Sequence, residues 1–233
     1  MNSSIKKRFF ITGTNTGVGK TVVAAGVALA LKRTGVSTVV IKPVESGCKL
    51  KNGVLMPSDA LFHAEMLEIE EPIDAICPVK LRHPLAPMAA AELENVNIQT
   101  EDWLPAYREF SWKYQVVLVE GAGGIMVPIR NDYLFSDMAA ELEIPVILVA
   151  GTELGTINHT LLSLEHARNR GLKVLGIIFN QTRPGRRRTL AEKTGPALVS
   201  RFTEVPVLGF FPFVKKINRV NLELAAREIA KKL

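Results

Sequence analysis

The chain has 233 residues, 47% of them hydrophobic and 22% charged, with a net charge of +6. Those proportions belong to a water-soluble globule and exclude a disordered chain, while the longest apolar run, Val22 to Leu31, falls short of the roughly 18 residues of a membrane span. Two cysteines, Cys48 and Cys77, stand without a second ligand pair, so neither a disulfide framework nor a zinc site is indicated.

Phe9 to Thr12 reads as the first strand. The N-terminus, Met1 to Ile11, resembles a signal peptide only superficially, because its apolar part is too short and runs straight into the loop that follows; a cytoplasmic protein is expected. Thr21 to Arg33 is a helix apolar nearly all round, stopped by Gly35. Ser37 to Ile41 is the second strand. A helix from Asp59 to about Leu67 follows Ser58 as its N-cap, and Glu101 to Trp112 forms another before the strand Val116 to Val119. A helix near Ser136 to Leu142, the strand Val146 to Ala150, a helix from about Asn158 to Arg170 and the strand Val174 to Phe179 come next. The chain closes with a helix around Thr189 to Phe202, the short strand Val207 to Gly209 and a helix from about Val220 to Lys232. Strands alternating with helices imply a doubly wound, mostly parallel α/β sheet with helices on both faces, here as one domain over residues 1–233. Ligands of such sheets bind beyond the carboxyl ends of the strands.

The loop after the first strand, Gly13-Thr14-Asn15-Thr16-Gly17-Val18-Gly19-Lys20-Thr21, is a phosphate cradle. Its backbone N–H groups can turn inward at a helix N-terminus, Lys20 can reach phosphate oxygens as a point charge, and the Thr21 hydroxyl is placed for a magnesium ion. Five residues separate Gly13 from Gly19, one more than in the strict P-loop pattern, which marks a subgroup. After the second strand comes Lys42-Pro43-Val44-Glu45-Ser46-Gly47, with an ammonium where an anionic substrate could meet it. After Val119 comes Glu120-Gly121-Ala122-Gly123-Gly124, a carboxylate at a buried strand end where nucleotide enzymes organise their metal. Asp59 offers a second carboxylate; taken alone, it reads equally as a partner for the helix dipole. The basic clusters Lys6-Lys7-Arg8, Arg183 with Arg186-Arg187-Arg188, and Lys215-Lys216 lack interleaved aromatics and read as solvated surface, so neither nucleic acid nor membrane is expected as a partner.

Those segments, together with Ser58-Asp59-Ala60, Gly155-Thr156-Ile157-Asn158-His159 and the strand-terminal Asn180, resemble in order the signature of the dethiobiotin synthetases. The resemblance runs from about Phe9 to Pro212. It implies a P-loop ligase that uses ATP and Mg2+ to close the ureido ring of dethiobiotin from 7,8-diaminononanoate and CO2, through a carbamate that is phosphorylated and then attacked by the second amine. It further implies that Gly17, Val18, Gly19, Lys20, Thr21 and Val22 hold the phosphates, with Glu120, Gly121, Ala122 and Gly123 beside them. Thr21, Asp59 and Glu120 would hold the metal. Lys20, Lys42 and Thr16 would act on the carbamate and the transferring phosphoryl group, and Ser46 would place the diamine. The helix start at Gly155, Thr156, Ile157 and Asn158 would take the distal carboxylate, near a homodimer interface. Asn180 and Gln181 would meet the adenine, with Pro212, Phe213 and Val214 as the other wall.

The chain departs from the family at two points. Gly17 stands where some members carry an acid, and Leu190 and Ala191 stand where a tyrosine often reaches the partner's substrate. The alternative of another class is a ParA- or MinD-like dimeric ATPase switch, whose signature has a lysine where Asn15 stands here. Its membrane-binding form would also need a basic amphipathic C-terminal anchor, whereas Glu223 and Glu228 stand among the bases of the last helix.

Overall fold

The computed structural model describes residues 6–184 and 189–233. The Arg186-Arg187-Arg188 cluster lies outside the described residues. Six strands, β1 (Lys7–Gly13), β2 (Thr38–Ile41), β3 (Val116–Gly124), β4 (Val146–Gly151), β5 (Val174–Asn180) and β6 (Val207–Phe211), form one sheet in the order β6-β5-β4-β1-β3-β2. Every neighbouring pair in it is parallel. The strands therefore all end on one edge, and the loops that leave them gather there.

Side chains alternate between the two faces as a pleated strand requires. Phe9, Ile11, Val40, Val116 and Leu118 pack toward α1 (Lys20–Arg33) and α8 (Arg219–Ala230). Phe10, Val39, Ile41, Val117 and Val119 face the opposite way, into a core closed by α4 (Leu104–Lys113) and α5 (Phe135–Glu141) through Phe110, Phe135 and Met138. Burial of such side chains is worth about 1.5–3 kcal/mol each, which is why strands apolar on both faces stay in the middle of the fold. The helices α2 (Ser58–Leu67), α3 (Pro87–Glu94), α6 (Thr156–Asn169) and α7 (Leu190–Val199) complete the framework.

Several boundaries differ from the sequence expectation for identifiable reasons. The helix expected over Glu101 to Trp112 is divided into a 3-10 turn at Thr100–Asp102 and α4, because Pro105 fits a first helical turn but disfavours continuation from the residue before it. Ser58 is the first residue of α2 rather than its cap; Pro57 holds the cap position, and the Glu45 carboxylate serves the exposed N–H groups. Outside the sheet, Val44–Ser46 pairs with Val79–Leu81, and Lys49–Lys51 forms a hairpin with Val54–Met56 through Asn52-Gly53. Strands of three residues are too short for alternation to register, although Asn-Gly between them is a hairpin signal in its own right.

The Lys6-Lys7-Arg8 cluster is not merely solvated surface. Arg8 donates to the carbonyls of Gln115 and Tyr114 at 2.8 and 3.1 Å, and Lys6 donates to those of Ser111 and Trp112, so the cluster fastens β1 to the end of α4. Arg183 is exposed as expected and pairs with Glu153 at 2.9 Å on the surface. Among the described residues no helix is long and apolar enough to cross a membrane.

Candidate functional site

Between β1 and α1 the backbone turns through left-handed conformations at Gly17 (φ 79°) and Gly19 (φ 83°), the second of which caps the helix. Asn180, at the end of β5, donates from Nδ2 to the Val18 carbonyl at 2.8 Å and so ties the end of a strand two places away in the sheet to the loop. Lys20 is buried beneath this loop with its Nζ 3.4 Å from the Asn15 carbonyl. Burial, and then repulsion from the Lys42 ammonium, lower its pKa to about 8 against the pull of Glu120 and Asp59.

The parallel pairing of β2 with β3 sets Ile41 beside Val119, so Lys42, the first residue past β2, comes beside Glu120, the fifth residue of β3. Lys42 Nζ lies 2.7 Å from Glu120 Oε1, 2.8 Å from Asp59 Oδ2 and 3.4 Å from the Gly121 carbonyl. The Thr21 hydroxyl donates to the same Glu120 Oε1 at 2.8 Å. Burial alone would raise the Glu120 pKa, but the Lys42 charge and a hydrogen bond from His63 outweigh it and hold the carboxyl well below the usual carboxylate range. Burial would likewise lower Lys42, and the Glu120 and Asp59 carboxylates reverse the shift and raise it. Both groups are therefore charged around neutral pH.

The carboxylate oxygens of Asp59 and Glu120 thus meet at the Lys42 ammonium, and the Thr21 hydroxyl adds a third oxygen beside Glu120 Oε1. Such an all-oxygen set suits magnesium, which takes one or two carboxylates and completes its shell from phosphate and water. Among the described residues, no group of three His, Cys, Asp or Glu side chains forms a metal cage made by protein alone.

Thr16 is exposed at the crest of the loop, and Ser46 is half-buried in the short strand after Lys42. Gly121 offers its carbonyl to Lys42, Ala122 is half-buried, and Gly123 turns back toward the loop, where a Cβ on it would lie 3.4 Å from Thr16 Oγ1. A cavity of about 440 Å3 separates residues 14–18 from the start of α6, with Thr16, Glu153, Thr156, His159 and Arg183 on its wall. Gly155 caps α6 with φ 98°, two residues earlier than expected. The Thr156 hydroxyl donates to the Gly151 carbonyl at 2.6 Å and its N–H to that of Glu153 at 3.1 Å. Ile157 and Asn158 are then the residues of this turn left to present backbone N–H groups to a ligand. Gln181 is bonded through its N–H to the Phe211 carbonyl, which draws Pro212, Phe213 and Val214 toward the end of β5; Val22 is half-buried in the first turn of α1.

Two residues of this region escaped sequence reasoning. Glu45 is buried, accepting from the backbone of Asp59 and Ala60 at 3.0 and 3.1 Å and from the Ser58 hydroxyl at 3.1 Å, so it fixes the turn that carries Asp59. His63 lies 2.6 Å through Nε2 from Glu120 Oε2. Its spacing of four from Asp59, which puts both on one face of α2, was the available signal.

A family model described as an AAA domain matches residues 7–221. Among curated relatives, a protein of Thermodesulfovibrio yellowstonii is 38% identical over 222 residues, covering 92% of each chain. One of Bacillus licheniformis is 40% identical, covering 88% of this chain and 86% of its own. One of Bacillus subtilis is 37% identical, covering 91% and 89%. Each of the three is named ATP-dependent dethiobiotin synthetase BioD. Among solved structures, the septum site-determining protein MinD complexed with Mg-ADP from Pyrococcus horikoshii aligns with TM-score 0.60 at 18% identity over 97% of this chain and 95% of its own. A ParA family ATPase from Chlorobium tepidum aligns with TM-score 0.54 at 14% identity over 97% and 92%. At such identities these two share the fold.

Proposed function

The chain belongs to the ATP-dependent dethiobiotin synthetase family, and from that premise we propose that it forms dethiobiotin from 7,8-diaminononanoate, carbon dioxide and ATP, in biotin biosynthesis. One amine of the diamine adds to carbon dioxide and loses a proton, giving a carbamate. The carbamate oxygen takes the γ-phosphoryl group of ATP, and ADP leaves. The second amine then attacks the carbonyl carbon and expels phosphate, closing the ureido ring.

The observation that carries this reading is the gathering of Lys42, Glu120, Asp59 and Thr21 within hydrogen-bond reach at the edge of the phosphate loop. Carbamate and γ-phosphate are both anionic, and at low dielectric their approach is repulsive unless cations lie between them. Lys42 supplies one such charge at the carbamate, and Lys20 supplies another at the phosphates. Thr21, Asp59 and Glu120 hold Mg2+, which neutralises phosphate charge when bound. Residues 17–22 enclose the phosphates, and Asn180, Gln181 and residues 212–214 border the base; because Asn180 Nδ2 is engaged by Val18, its Oδ1 is the atom for adenine. Thr16 and Ser46 orient the carbamate end, and the diamine reaches across the cavity so that its carboxylate meets the N–H groups at the start of α6.

A homodimer is part of the same proposal. The groove between α6 and residues 200–205 has Leu162 and Phe202 on its wall, 61% and 70% exposed, and a second copy of this chain would cover them. The cytoplasm, where ATP is supplied, is the proposed compartment. The test is an omission series: phosphate release should require ATP, bicarbonate and the diamine together, and 13C from labelled bicarbonate should appear in the ureido carbon. ATP turnover independent of the diamine and stimulated by DNA or lipid would support a switch ATPase instead.

A further inference from the structure

His63 is fully buried in the second turn of α2, and its ring touches the site at one atom. Nε2 lies 2.6 Å from Glu120 Oε2; a carboxylate oxygen accepts, so Nε2 carries the proton and donates. Glu120 Oε1 receives the Thr21 hydroxyl and the Lys42 ammonium at 2.8 and 2.7 Å. The carboxylate is thereby divided, with one oxygen held by the scaffold and the other turned toward the groups that work. His63 Nδ1 is buried and has no hydrogen-bond partner among the described residues. A ring kept only for packing would leave that nitrogen as a net cost which an apolar side chain of similar volume would avoid. The contact with Glu120 is what the imidazole adds beyond its volume.

We propose that His63 is a positioning residue for the cation site. By holding Oε2 it fixes the rotation of the Glu120 carboxylate, so that Oε1 faces Thr21 and the metal. Because His63 and Asp59 stand four residues apart on α2, one rigid helix sets both acidic ligands, one directly and one through the imidazole. The inference rests on the proposed metal role of Thr21, Asp59 and Glu120. Outer partners of metal-binding carboxylates commonly govern metal affinity by 10–100-fold.

The test uses the full chain with saturating ADP and Mn2+ as the probe, free Mn2+ being read by its electron paramagnetic resonance. His63→Leu should weaken Mn2+ binding at least about tenfold, while His63→Gln, which keeps a donor at the reach of Nε2, should stay within about threefold of the unaltered protein. ADP affinity without metal should not change in either variant. In turnover, the KM for Mg2+ should rise more than kcat falls. If His63→Leu does not fold, His63→Asn, whose amide stops short of Oε2, carries the same expectation. Unchanged Mn2+ affinity in His63→Leu, or an equal loss in His63→Gln, overturns the inference while leaving the metal site standing. Failure of Glu120→Gln to weaken Mn2+ binding overturns the metal reading and this inference with it.

Discussion

The Nζ of Lys42 lies 2.7 Å from Oε1 of Glu120, and the two charges face each other with side chains 3% and 0% exposed. Neither charge would be tolerable there alone. Desolvation makes each costly, and removing Lys42 leaves the buried Glu120 with His63 and Thr21 but without its ammonium. Lys42→Met should therefore lower the unfolding free energy by about 3 kcal/mol, and adding Glu120→Gln should restore part of that loss. Urea unfolding of the single and double variants measures both steps. Equal stability of the Lys42→Met variant and the unaltered protein would show that the pair is not coupled as described.

The start of α2 offers a second comparison. Glu45 satisfies two backbone N–H groups of that turn, whereas Ser58 only adds its hydroxyl to the same carboxylate. Glu45→Ala should cost about 2 kcal/mol, in the upper range for loss of a helix cap, and Ser58→Ala less than about 0.5 kcal/mol. The opposite ranking in urea unfolding would restore Ser58 as the cap.

These two residues also mark where the sequence was legible. The phosphate loop, Lys20 and Thr21 could be read because strand, glycines and helix are contiguous, and Lys42 and Glu120 because each follows an apolar strand. Glu45 could not, because the backbone N–H groups it serves lie 14 and 15 positions further along the chain and Ser58 offers a simpler local cap. His63 meets Glu120 only once α2 lies across the strand ends. The short pairing of Val44–Ser46 with Val79–Leu81 has no local signal at all.

Gly17 and Gly19 should respond differently to alanine although both have positive φ. A Cβ at Gly17 meets nothing within 4 Å, while one at Gly19 would lie 2.2 Å from Asn180 Nδ2. Gly17→Ala should cost only its backbone strain, about 1 kcal/mol, and leave nucleotide binding nearly intact. Gly19→Ala must in addition displace Asn180 from Val18, and its ADP affinity should fall at least about tenfold, or 1.4 kcal/mol. Calorimetric titration with ADP measures both. Equal losses in the two variants would contradict the account.

A pH effect follows from Glu94, which accepts from the backbone of Arg82 and His83 at 3.1 and 2.9 Å. Burial would raise its pKa, but those N–H groups prevail and the carboxyl sits below its ordinary 4.5. The folded-state pKa being the lower one, the stability Glu94 contributes is present above about pH 4.5 and is lost as pH falls through the folded value. Glu94→Gln should flatten the acid limb of a melting-temperature profile below about pH 4.5. Superimposable acid limbs would refute this role.

The most direct test of the whole account is Lys42→Met in the complete reaction, with kcat and ADP affinity measured on the same folded sample. Loss of a charge worth ~3 kcal/mol at the carbamate and the transferring phosphoryl group predicts a fall in kcat on the order of a hundredfold, with ADP affinity within about threefold of the unaltered protein. An undiminished kcat, or an ADP affinity that falls as far as kcat does, would contradict it.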